Sequence, residues 1–288
     1  MKYLIRLFFL TFFVLFSSLV SAKSFLWEIK DDDNSVFLLG SVHLLRESDF
    51  PLDKVILKAL DKSEIVVFEA DIAAMSSPQF QYTMLQESML ANGKTLKKIL
   101  PSSLYKKTAD KMSQNGLMIE MINGFKPWMA ALTLQITEFK RLGFKDEFGV
   151  DQFLYRRAKM KGKQTMGFET PEFQMSLFSN LTTKQQIEFL SQTINELDLA
   201  EKMINQMLVA WKAGNADQFY NYNIKSFKAY PDLMDKLLIS RNKNWMPDIV
   251  KLIEGNKDAM VVVGALHIPG KDGVLDLLQK KGYKTKQL

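Results

Sequence analysis

The sequence of 288 residues has no cysteine and only two histidines. Without cysteine there is no disulfide framework, no thiol nucleophile, no thiolate metal ligand and no cysteine-borne lipid anchor. Three familiar catalytic signatures are also missing. There is no His-Glu-x-x-His helix, no Gly-x-Ser-x-Gly elbow and no phosphate-binding loop, which excludes an ordinary zincin and makes a serine hydrolase or nucleotide enzyme a poor reading. Clusters of basic residues are absent too. The net charge is +6, but Lys and Arg are scattered, which argues against a dedicated nucleic-acid surface. No stretch is low-complexity or collagenous, and 47% hydrophobic with 24% charged residues suffices for a packed core.

The two histidines that are present stand in matching contexts. Val36-Phe37-Leu38-Leu39-Gly40-Ser41-Val42-His43 recurs in kind as Met260-Val261-Val262-Val263-Gly264-Ala265-Leu266-His267. Each is a short apolar run, read as a buried strand, then Gly-x-x-His. Each His thus falls just past a strand end, on the rim where open α/β sheets bind ligands. A lone His there is more often a packing residue. Its recurrence after matching strands, with no other His in the chain, favours one shared site.

The first residues read as a targeting segment. Lys2 and Arg6 precede an apolar run from Leu7 to Phe16, and Ser17–Ala22 supplies the small residues of a cleavage site. The run is too short for a comfortable membrane span. Removing residues 1–22 takes away two basic residues and no acid, so the mature chain, 23–288, carries +4. This predicts an exported protein, periplasmic or secreted, with no stable membrane span after cleavage.

Along the mature chain, Phe25–Lys30 and Ser35–Leu39 flank Asp31-Asp32-Asp33-Asn34 and predict a β-hairpin, the acids being a solvated turn. A helix is expected within 53–62. Ile65-Val66-Val67-Phe68-Glu69 is another buried strand that ends in an acid, costly to bury unless paired or metal-bound. Asp71 is a weaker candidate on the same side of the pleat. Residues 72–145 show no convincing strand and read as helices, their methionines mainly as core filling. A helix from about 148 to 161 leads to the short strand Gln164–Phe168, again ending in an acid, Glu169. Thr170 is a fair N-cap, and Glu172 suits the start of the helix that follows. Helices fill 182–254, and Tyr283–Gln287 reads as an edge strand.

His43, Glu69, Glu169 and His267 therefore all stand at strand ends. Two imidazoles with one or two carboxylates suit Mn, Fe, Co or Zn better than Ca. Further motifs are Phe148-Gly149-Val150-Asp151, Glu169-Thr170-Pro171-Glu172-Phe173-Gln174, Arg241-Asn242-x-x-Trp245 and His267-Ile268-Pro269-Gly270-x-x-Gly273. In order and spacing this set resembles the TraB/GumN family, related to the Tiki metalloproteases, from about Trp27 to Tyr283. The resemblance implies a mixed α/β (α+β) fold, EreA/ChaN-like. A central sheet of two related halves with flanking helices would carry a helical insertion at about 72–145, within one domain. It also implies His43, Glu69 and His267 around a divalent metal, Mn or Co favoured and Zn admissible, with Glu169 as a further ligand or general base. Arg241 would stabilise an oxyanion or orient a substrate carboxylate, or else simply pair with one of these glutamates; Asn242 and Trp245 would be architectural.

The functional expectation is an exported metal-dependent hydrolase, a peptidase acting on peptides or protein N-terminal segments, and a homo-oligomer is compatible with it. The alternative keeps the scaffold without the chemistry, as a periplasmic binding protein for a peptide, a haem or iron.

Overall fold

The computed structural model describes residues 23–227 and 231–288; the expected targeting segment, residues 1–22, lies outside the described residues. The core is a six-stranded mixed sheet of β1 (Leu26–Lys30), β2 (Ser35–Ser41), β3 (Ile65–Ala70), β4 (Gln164–Glu169), β5 (Ala259–Gly264) and β6 (Thr285–Gln287). Its spatial order is β4-β3-β5-β2-β1-β6. The predicted hairpin is present: β1 pairs antiparallel with β2, and Asp31–Asp33 lie exposed in its turn. The C-terminal edge strand is present as well, β6 pairing antiparallel with β1.

The order explains why the two histidine strands are distant in sequence and adjacent in space. β5 lies between β2 and β3 and is parallel to both, with Gly40 opposite Val263 and Ser41 opposite Gly264. A strand in that position is covered on both faces, so its sequence shows a continuous apolar run rather than alternation. Met260 to Val263 are indeed completely buried. β4 extends the parallel set on the far side of β3, with Ala70 opposite Glu169. All four parallel strands therefore end on the same edge of the sheet.

Helices make the parallel connections. Lys54–Lys62 links β2 to β3, Val150–Met160 precedes β4, and Ser240–Ile253 precedes β5. As expected, 72–145 contributes no strand to the sheet. It supplies the helices Pro78–Ser88, Ser102–Gln114 and Pro127–Arg141 with shorter turns between them. The helical layer does not end at 145, however. Thr183–Leu197 turns Leu190, Ile194 and Leu197 into a second apolar cluster with Leu104, Met112, Ala130 and Leu134. Their i, i+4, i+7 spacing is one helical stripe, and only a neighbouring helix can bury it. The methionines of this region divide. Met112 is core, as expected, whereas Met118 and Met121 are exposed. Among the described residues no helix is long and apolar enough to cross a membrane.

Candidate active site

The strand ends deliver a polar cluster whose members are held from outside. His43 follows β2, and its Nδ1 lies 2.8 Å from Asp151 Oδ2. Asp151 opens the helix Val150–Met160, and its other oxygen accepts from Ser41 Oγ at 2.7 Å. That helix reaches the site because Gly149 precedes it. A Cβ there would meet the His43 carbonyl oxygen at 2.1 Å, so only glycine lets the two backbones approach so closely. His267 follows β5, and its Nδ1 lies 2.6 Å from Asn242 Oδ1. The Asn242 amide nitrogen donates to the Asp272 carbonyl at 2.9 Å. This fixes the amide's orientation, so Oδ1 is the acceptor and His267 Nδ1 carries the proton. Both imidazoles thus donate outward through Nδ1 and turn Nε2 inward.

Glu69, in β3, lies between them. Its Oε1 accepts from the Gly264 amide at 2.6 Å and stands 3.7 Å from His267 Nε2. Gly264 is where the donors meet: a Cβ on it would lie 3.0 Å from Glu69 Oε1 and 3.7 Å from His43 Nε2. The position is glycine because a side chain would fill the space the three groups face.

Arg241 joins the cluster from its helix and is fully committed. Nε and Nη2 form a two-pronged pair with Glu169, each at 2.8 Å. Nη2 also donates to Glu69 Oε2 at 2.5 Å, and Nη1 to the Leu237 carbonyl at 3.0 Å and to His267 Nε2 at 3.2 Å. Asp235–Ile239, just before Arg241, forms a turn of π-helix, the kind of local widening that recurs at functional sites. Glu169 is held further by Trp245 Nε1 at 2.9 Å and Gln174 Nε2 at 3.1 Å. It stands behind Arg241, its oxygens taken, rather than among the inward-facing donors. The pairing of Arg241 with glutamates, weighed as an alternative role, is present with both Glu69 and Glu169. Asp71 and Thr170 serve as N-caps, and Glu172 sits exposed in a first helical turn.

The electrostatics follow from this arrangement. Burial of Glu69 by itself raises its carboxyl, but His267, Arg241 and His43, with the Gly264 amide, outweigh that and hold it down at about 2. Burial dominates at His267 and pushes it to about 4, with Glu69 opposing, so this ring is neutral at physiological pH. The part of the Glu69 effect that survives at neutral pH therefore comes from Arg241, His43 and the Gly264 amide. Asp151 lifts His43 to about 9. Since 65% of the His43 side chain is exposed, salt weakens this pair. Two like rings are thus driven in opposite directions by their surroundings.

Within the hydrogen-bonded network, Asp151, Glu69 and Glu169 face one permanent cation, Arg241. With neutral imidazoles the network is short of two positive charges, and the raised His43 is its partial answer. With both rings neutral, two Nε2 atoms and Glu69 face one space, the network lacks two positive charges and both rings have outer acceptors, features that a divalent cation site would share. Among the described residues no group of three or more His, Asp or Glu side chains is placed to hold a metal ion; Arg241, bonded to both Glu69 and His267, stands among them.

Sequence reasoning did not assign the residues that aim the site. Asp151 and Gln174 lay inside quoted motifs without a role. Asn242 and Trp245 were expected to be architectural, yet Asn242 fixes a histidine tautomer and Trp245 donates to Glu169. Trp245 also stacks on Phe168 and carries the Arg241 guanidinium 4.9 Å from its ring centre.

An α/β sheet with a paired-histidine, glutamate and arginine cluster at its carboxyl edge defines a class of protein, and the comparisons give it a name. The chain belongs to the TraB/PrgY/gumN family, whose profile matches residues 25–287. It is similar to the uncharacterized protein YbaP of Escherichia coli (strain K12), 26% identical over 252 residues, which cover 84% of this chain and 87% of that one. It is also similar to metalloprotease TIKI1 of Danio rerio, 23% identical over an alignment covering 91% of this chain and 63% of that protein. No solved structure gives a significant match.

Proposed function

We propose that this protein is an exported metal-dependent hydrolase that cleaves peptides or protein N-terminal segments. The observation that carries the reading is the inward presentation of His43 Nε2, His267 Nε2 and Glu69 in a network that, with both rings neutral as ligands, is short of two positive charges. A similarity to a protein named as a metalloprotease supports it. His43, Glu69 and His267 are the residues to hold the ion, with Mn or Co favoured and Zn admissible. A divalent ion supplies Lewis acidity, acidifying water and polarising a carbonyl.

The chain's own groups do the rest. Asp151 and Asn242 keep both rings turned inward, as outer partners of ligating histidines do. Arg241 lines the adjoining cavity. Its contact to His267 Nε2, at 3.2 Å the longest of its bonds, is the one given up when that nitrogen takes the ion, leaving an N–H for a substrate oxygen. The freed N–H then meets charge developing on that oxygen from a fixed position. Glu169 and Trp245 hold Arg241 in place while this happens.

The test is elemental analysis of the purified protein beside a His43→Ala/His267→Ala variant, followed by a peptide-library digest with and without chelator. Stoichiometric metal only in the wild type, with cleavage lost on chelation, is the expected result. Metal in neither protein after loading with Mn, Co and Zn removes the reading. A peptide retained uncut by metal-loaded protein favours the binding-protein alternative.

A further inference from the structure

The cavity beside the polar cluster is far larger than the cluster needs. Its volume is about 470 Å³, inside the span of about 300–1,000 Å³ typical of ligand pockets. His43, Glu69, Arg241 and His267 form one end. The remaining wall is mostly apolar, led by Phe139, Phe144, Ile204, Met207 and Leu208. A second cavity of about 260 Å³ shares Phe139, Ile204, Met207, Asn223 and Leu237 with the first, so the two adjoin along that wall and together form a trough. Sheet and helices divide the work. The parallel strands bring the charged groups to their carboxyl ends, and the helices Pro127–Arg141, Ala200–Lys212 and Ala216–Phe227 wall the trough beyond them.

An apolar wall open to water favours an occupant that removes it from water. The lining also restricts which occupant. Farther from the cluster the wall stays mostly apolar but adds Gln135, Thr193 and Glu196. Thr193 is buried, and its Oγ1 has no hydrogen-bond partner among the described residues. A hydrocarbon chain would leave the Thr193 hydroxyl without a partner, whereas a peptide backbone supplies donors and acceptors along its length.

We infer that this trough selects the substrate as an extended peptide with a large apolar side chain, of leucine or phenylalanine type, beside the bond held at the His43–Glu69–Arg241–His267 cluster. Ile204 and Met207 set the size of that side chain. The inference rests on the hydrolase reading for the cleavage and on the cavity alone for the preference.

The experiment separates the two. Binding is measured by calorimetry on chelator-treated full chain with acetyl-Ala-Leu-Ala-amide, acetyl-Ala-Phe-Ala-amide, acetyl-Ala-Gly-Ala-amide and dodecanoate. The Leu and Phe peptides are expected to bind at least about tenfold more tightly than the Gly peptide, the scale of burying one such side chain. Met207→Trp, which fills the wall, should abolish that preference. Met207→Ala, which enlarges it, should shift preference toward a Trp-containing peptide, and this variant guards against a misfolded Met207→Trp protein. Equal binding of the Leu and Gly peptides, or binding of neither, overturns the inference. So does dodecanoate that displaces the Leu peptide, which would make the trough a lipid pocket. Cleavage by metal-loaded protein is scored separately. A Leu preference in binding with no peptide cut sinks the hydrolase reading and leaves the trough standing. Cutting that ignores the side chain does the reverse.

Discussion

Replacing Arg241 by alanine should be among the most damaging single changes available to this protein, for reasons independent of catalysis. The guanidinium places every N–H on an acceptor, and the two carboxylates it pairs are nearly closed to solvent, with side-chain exposures of 11% for Glu69 and 7% for Glu169. Its removal leaves two buried carboxylates facing each other with no permanent cation between them. Breaking a buried pair by deleting one partner costs about 3–5 kcal/mol, a large fraction of the stability of an ordinary domain. The assay is urea unfolding followed by far-UV circular dichroism, with chelator present so that bound metal does not mask the deficit. The sign with pH can be stated. Glu69 is depressed to about 2 in the folded protein. Its contribution is therefore full above the ordinary carboxylate value and is lost as pH falls toward 2. The gap between wild type and variant should be widest at neutral pH and narrower at pH 4. Adding Glu69→Gln and Glu169→Gln to Arg241→Met removes the orphaned charge and should recover part of the loss. A deficit under about 1 kcal/mol at pH 7, or one that does not change between pH 7 and 4, would refute the reasoning.

Three further outcomes follow from the same geometry. Asp151→Asn removes the charge that lifts His43, so its titration should move down from about 9; imidazole NMR reads this directly, and metal affinity should fall about 10–100-fold. His267, neutral in the fold down to about 4, must charge on unfolding below its ordinary value of about 6.5. Stability of the metal-free protein should therefore rise by about 3 kcal/mol between pH 4 and 6.5, and that rise should be absent in His267→Gln; equal slopes in the two proteins would count against a buried neutral ring. Gly149→Ala forces a methyl against the His43 carbonyl and should cost at least about 1–3 kcal/mol, with His43 displaced; an unchanged unfolding midpoint would show that the approach is not tight.

The fold was legible wherever burial is written into composition. The unbroken apolar runs of β3 and β5 marked strands covered on both faces, and the acids at Asp31–Asp33 marked a solvated turn. What the runs do not encode is which strand lies beside which. β5 enters between β2 and β3 after nearly two hundred residues, and only the sheet shows that this places the two Gly-x-x-His segments side by side. The helices beyond 145 were legible too, but not their partners. The stripe Leu190, Ile194, Leu197 announces a buried face but not what buries it.

At the site, the sequence shows which residue types gather but not their direction. His43 and His267 follow identical motifs, yet one is held by a carboxylate and exposed, the other by an amide and buried. The Asp151 charge raises the first and burial lowers the second, which drives the rings apart in basicity. Glu69 and Glu169 likewise end similar strands and part company because Arg241 and Trp245 reach Glu169 first, while the Gly264 amide turns Glu69 toward the histidines. The roles are thus assigned by the outer partners. A search for the function of related chains should follow the residues that stand where Asp151, Asn242 and Trp245 stand here. A chain that keeps both histidines but loses an acceptor on Nδ1 keeps the ring and gives up its aim, and its inner nitrogen is no longer committed to the site.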